Sequence, residues 1–62
     1  METVYKNGLT WKFETLPDGW IAIYLEHEET HELIPRIQAR NREAAMAYVA
    51  MREQMPFGVR FI

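Results

Sequence analysis

The sequence predicts an α+β fold: a small antiparallel β-sheet of three main strands plus a short N-terminal hairpin strand, packed against one C-terminal α-helix. Three observations carry this expectation. Two turn signals, Asn7-Gly8 and Pro17-Asp18-Gly19, separate stretches rich in β-branched and aromatic residues. After Asn41 the apolar spacing changes to three and four residues, the period of a helix. Sixty-two residues without cysteine suit one small domain, residues 1–62, held by apolar packing alone.

Taken in order, Asn7-Gly8 suits a type I′ turn, which needs positive φ at both central residues, and joins Thr3–Lys6 to Leu9–Leu16. In Leu16-Pro17-Asp18-Gly19-Trp20, proline presets the second turn position and glycine supplies a left-handed residue. That turn places Leu16 opposite Trp20, so Thr15 faces Ile21, Phe13 faces Ile23 and Trp11 faces Leu25 on one side of the sheet. A third main strand, His31 to Gln38, returns through Glu28-Glu29-Thr30 and brings Leu33 and Ile37 to the same inner face. Its simplest register opposes Glu26 to Glu32; a slip of two residues relieves that repulsion. Pro35 has no N–H, which assigns the strand to an edge or ends it early. The sheet then covers about residues 3–38. Asn41 caps a helix to about Met55, whose stripe Ala44, Ala45, Tyr48, Met51 and Met55 covers the inner face, and Pro56 stops it. The tail, 56–62, is apolar enough to pack back on the domain or on another subunit.

Composition narrows the function. No apolar run is long enough to span a membrane or to form a signal peptide, and the lack of cysteine is compatible with the reducing cytoplasm, the expected location. The net charge of −2 conceals a division: six acids and no Lys or Arg from Glu14 to Glu32, then five arginines against two glutamates from Arg36 onward. An acidic pole and a basic one follow.

His27-Glu28-Glu29-Thr30-His31 matches the zinc-protease pattern H-E-x-x-H. There the two histidines share one ion because four residues make about one helical turn. Here the motif follows the strand-like Trp20–Leu25, and its spacer carries the charged Glu29. Glu53 would be a distant third ligand, and so short a chain has little room for a substrate cleft. The motif therefore reads as an acidic hairpin turn. No catalytic residue and no cofactor is expected. His27 and His31, with Glu26, Glu28 and Glu32 nearby, are the candidates for loose zinc or nickel binding, against two solvated histidines as the plain alternative.

The outer sheet face is more informative. The register assigns to it Tyr5, Thr10, Lys12, Glu14, Trp20, Ala22, Tyr24, Ile34, Arg36 and Gln38. Three aromatics and an isoleucine exceed what a solvated sheet shows, and Tyr, Trp and Arg dominate interface energetics. The candidate partner-binding residues are Tyr5, Lys12, Trp20, Tyr24, Ile34, Arg36 and Gln38, with Glu26, Glu28, Glu29 and Glu32 steering a basic or nucleic-acid-binding protein. The same patch could form a homodimer seam.

Asn41 to Glu53 reads NREAAMAYVAMRE, with Glu43-Ala44-Ala45 followed by Ala47-Tyr48. With the preceding strands, residues 20–53, it resembles the APETALA-type DNA-binding domains of plants and the arm-binding domains of phage-type integrases. The resemblance implies a sheet that enters the major groove, and by position Lys12, Trp20, Tyr24, Arg36 and Gln38 would touch DNA, helped by Arg40 and Arg42. The chain departs from that pattern with Glu14, Glu26 and Glu32 on its sheet and a negative net charge. The leading expectation is a small non-enzymatic protein-binding module, of the kind phages and mobile elements encode to inhibit or adapt a host protein. Sequence-specific DNA binding is the alternative.

Overall fold

The computed structural model describes residues 1–51 and 57–61. Among these residues, β1 (Glu2–Lys6), β2 (Leu9–Thr15), β3 (Ile21–Glu26), β4 (Leu33–Ala39) and β5 (Val59–Phe61) form one antiparallel sheet in chain order; α1 (Arg42–Met51) lies between β4 and β5 in sequence. The α+β architecture is as expected, but the sheet has five strands. The N-terminal strand pairs along its whole length with β2, and the apolar tail supplies β5.

Turn chemistry sets the first three strands. Asn7 and Gly8 both have positive φ, 55° and 74°, as a type I′ turn requires, so Lys6 pairs with Leu9 and Val4 with Trp11. At the next turn Gly19 has φ 91°, the Gly19 N–H donates to the Leu16 carbonyl at 3.0 Å, and the Leu16 N–H donates to the Trp20 carbonyl at 2.7 Å. Thr15, Phe13 and Trp11 then stand opposite Ile21, Ile23 and Leu25, the register expected from the sequence.

β4 departs from expectation. Leu33, Ile34 and Pro35 oppose Glu26, Leu25 and Tyr24, and Arg36 is then the extra residue of a β-bulge, so Ile37, Gln38 and Ala39 oppose Ile23, Ala22 and Ile21. The chain thus slips one residue before the bulge and two after it, and Glu26 meets Leu33 in place of Glu32. Because opposed residues share a face, Ile34 lies with Leu25 on the helix side, and Leu33 lies with Glu26 on the outer side. Both placements reverse the expected ones. Pro35 marks an edge only locally, since β5 pairs with β4 from Ile37 to Ala39 and leaves the proline half without a strand on that side among the described residues.

The inner face carries the core: Val4, Trp11, Phe13, Ile21, Ile23, Ile37 and Ala39 pack against Ala45, Tyr48 and Val49 of α1. Tyr48 meets Trp11 edge to face, centroids 6.0 Å apart. The expected stripe is corrected at one position: Val49 is buried and Met51 is exposed, because Met51 lies about a quarter turn from the line through Ala45 and Tyr48. Met55, the helix end beyond Met51, the Pro56 stop, Glu53 and Ile62 lie outside the described residues. Asn41 caps the helix as predicted, its side-chain oxygen accepting the Ala44 N–H at 2.8 Å. The Asn7 amide donates to the carbonyls of Val49 at 2.9 Å and Ala50 at 3.2 Å. β5 starts at a left-handed Gly58, φ 84°, where an added Cβ would stand 3.4 Å from the Ala44 Cβ. The Gly58 carbonyl accepts the Arg40 N–H at 2.6 Å.

Candidate functional site

Strand alternation and the helix on the inner side leave the other face of the sheet as the candidate site. From β1 to β5 it presents Thr3 and Tyr5, then Thr10, Lys12 and Glu14, then Trp20, Ala22, Tyr24 and Glu26, then Leu33, Pro35 and Gln38, and finally Arg60. No helix or strand among the described residues lies across it.

The structure brings together most of the sequence-predicted residues and ties several to one another. The Lys12 ammonium donates to the Thr3 hydroxyl at 2.5 Å and stands 3.7 Å from the Glu26 carboxylate. The Tyr24 hydroxyl donates to Glu14 at 2.9 Å; that bond, then partial burial, then the carboxylate charge hold the phenol above the ordinary tyrosine range. Trp20 is half-buried beneath the Arg60 guanidinium, which sits 3.8 Å from the ring centroid. Arg60 also donates to Gln38 at 2.8 Å and to Asp18 at 3.3 Å. Ala22 is 2% exposed although it faces outward, since its cross-strand neighbours Glu14 and Gln38 and its flanking residues Trp20 and Tyr24 stand around a side chain of one carbon. Tyr5, by contrast, is 77% exposed on β1.

Two predicted residues are placed elsewhere. Ile34 is on the helix side, and Arg36, at the bulge, is exposed and takes no part in the bonded lattice of the face. Sequence reasoning did not assign Arg60 to this face. Its signal was present in Val59-Arg60-Phe61, an alternation after a glycine that reads as a strand. At the opposite end, Glu2 receives two guanidinium nitrogens of Arg42, at 3.2 and 2.6 Å; hydrogen bonding and charge together lower the Glu2 pKa.

The acidic loop is a tight hairpin end. The His27 N–H donates to the Glu32 carbonyl and the His31 N–H to the His27 carbonyl, both at 2.9 Å, so the H-E-x-x-H letters occupy a single turn that His31 closes with φ 60°. The His27 Nδ1 accepts the Glu29 N–H at 3.2 Å, while the His31 Nδ1 lies 3.2 Å from Glu26. The two rings thus serve separate partners, and among the described residues no group of three His, Cys, Asp or Glu could hold a metal ion. Glu28, Glu29 and Glu32 are exposed, and Glu26 is half-buried beside Lys12 and His31. No helix among the described residues is long and apolar enough to cross a membrane. Comparison of the chain with protein-family models, with curated proteins and with solved structures finds no match to any of them.

Proposed function

We propose that this chain is a small non-enzymatic protein-binding module that meets its partner with the outer face of the sheet. The observation that carries the reading is that this face holds Tyr5, Tyr24 and the Trp20–Arg60 stack with no helix or strand over them among the described residues. Aromatics held in place lose little side-chain entropy on binding, and Tyr, Trp and Arg are the residue types that most often dominate an interface. Glu28, Glu29 and Glu32 flank one end and would speed encounter with a basic partner.

The test places a photo-crosslinking amino acid at Tyr5 or, as control, at the exposed Ala50 on the helix, in cells that contain the natural partner. A protein adduct at Tyr5 that is reduced by Trp20→Ala and absent at Ala50 supports the reading. Adducts at Ala50 alone would move the binding surface to the helix.

One observation favours a second reading, DNA recognition by the same face. Arg60 adds to it a cation beyond those the resemblance assigned, though Asp18 and Glu26 stand beside Arg60 and Lys12, and these carboxylates together with Glu14, which holds Tyr24, oppose phosphate. Retention on random duplex DNA at low salt, with steep release as salt rises, would favour this reading. No retention would remove it.

A further inference from the structure

The two ends of the sheet differ in how they meet solvent. At the β5 end, the outer strand has three residues, and beside it β4 carries Pro35 and a bulge, all devices that interrupt pairing with another strand. β1 has none of these. It is five residues of unbroken strand, Glu2-Thr3-Val4-Tyr5-Lys6, with β-favouring Thr, Val and Tyr at its centre. Its hydrogen-bonding phase follows from the turn. Lys6 and Leu9 flank a two-residue loop and form a hydrogen-bonded pair, so Val4 with Trp11 and Glu2 with Phe13 do likewise. The N–H and C=O groups of Thr3 and Tyr5 therefore point away from β2, and no strand lies beyond them among the described residues. Among the described residues the backbone of α1 runs closest to β3, β4 and β5, and the Arg42 side chain reaches β1 at Glu2.

We infer that the β1 edge is a docking site for a second copy of this chain, joined antiparallel through β1 about a two-fold axis at Val4. The argument for this occupant is self-complementarity. Centred on Val4, the register pairs Glu2 with the copy's Lys6, Lys6 with its Glu2, Thr3 with its Tyr5 and Val4 with its Val4. Opposite charges meet twice, a β-branched residue meets an aromatic twice, and the outward backbone groups of Thr3 and Tyr5 pair with each other. Centring on Thr3 or Tyr5 instead would set Val4 against Glu2 or Lys6. Lys6 and Tyr5 are exposed and able to enter such pairs, and Glu2, held by Arg42, can accept a further cation on its exposed side. A five-residue seam buries less than the roughly 1,200 Å² of a stable interface, so the dimer is weak and concentration-dependent. It would join two outer faces into one ten-stranded surface, with the Tyr5 pair at its middle.

Sedimentation of the full chain up to roughly millimolar concentration tests this, since interfaces of that size sit at the weak end of the range. Wild type is expected to dimerise reversibly. Thr3→Pro removes an outward N–H without touching the β2 ladder and should abolish association with the fold retained. Lys6→Glu and Glu2→Lys should each weaken self-association by on the order of tenfold or more, because both attractive pairs become repulsive, while an equimolar mixture of the two should recover it. Amide exchange on wild type gives a second measure: Thr3 and Tyr5 should slow with concentration, and Val4, already paired to Trp11, should not. A wild type that stays monomeric throughout, a dimer indifferent to Thr3→Pro, a dimer lost only in Trp20→Ala, or two charge variants that do not pair with each other would each overturn the proposal. None of these outcomes depends on how the outer face meets a partner protein.

Discussion

The Asn7 side chain acts outside the turn that its backbone builds. Its left-handed φ of 55° serves the hairpin, and its amide reaches the carbonyls of Val49 and Ala50 in α1. The side chain therefore ties the first hairpin turn to α1 across more than forty residues of sequence. Asn7→Gly keeps the turn and removes both bonds. It should cost about 1–2 kcal/mol, lowering the thermal midpoint by roughly 4–8 °C for each kcal/mol; an unchanged midpoint would show that the contact is idle. Tyr24 offers a titration at the same scale. Its folded pKa is raised by the bond to Glu14, so the associated stability is complete below the ordinary tyrosine range and is lost as pH rises through the folded value. In Glu14→Gln, the Tyr24 ring resonances should titrate closer to an ordinary tyrosine. If they do not move, the Tyr24–Glu14 bond is not formed in solution.

At the level of elements, the bulge at Arg36 decides which side chains β4 gives to the core. Were Arg36 paired with Ile23 in place of being bulged out, the register at Leu33 to Pro35 would continue, and Ile37 and Ala39 would turn to the outer face. Deleting Arg36 would set Ile37 directly after Pro35 and opposite Ile23, so the buried side chains keep their face and cooperative unfolding should persist, while Arg36→Ala should be nearly neutral because that side chain is exposed. Calorimetry of the two variants checks this; a deletion variant without a cooperative transition would show that β4 needs the bulge itself to seat Ile37 and Ala39. This element also shows why the sequence was ambiguous. Leu33 and Ile34 are adjacent apolar residues, either of which can face inward, and the repulsion of Glu26 and Glu32 could exclude one register without choosing another.

Across the whole molecule, stability rests on one layer of contacts between the sheet and a ten-residue helix. Ile23 lies at its centre, 0% exposed, between Phe13 and Ile37 on the neighbouring strands. Ile23→Ala should cost about 2–5 kcal/mol, comparable with the whole net stability of roughly 3–5 kcal/mol for so small a core, and leave a large unfolded fraction at 25 °C. A cooperative denaturant transition close to that of wild type would place the centre of the core elsewhere. The fold was legible wherever a local rule sufficed. Asn7-Gly8 and Pro17-Asp18-Gly19 fixed two turns and with them the register of three strands, and Asn41 marked the helix start, because turn and cap geometry depend on a few adjacent residues. The candidate site was legible in Tyr5, Lys12, Trp20, Tyr24 and Gln38 for the same reason, since alternation along a registered strand assigns a face. The bulge, the fifth strand, the placement of Arg60 over Trp20 and the reach of Asn7 to α1 were decided by tertiary structure alone. Each joins segments far apart in the chain, and the free energy that selects them comes from packing and pairing that exist only once the strands and helix have met.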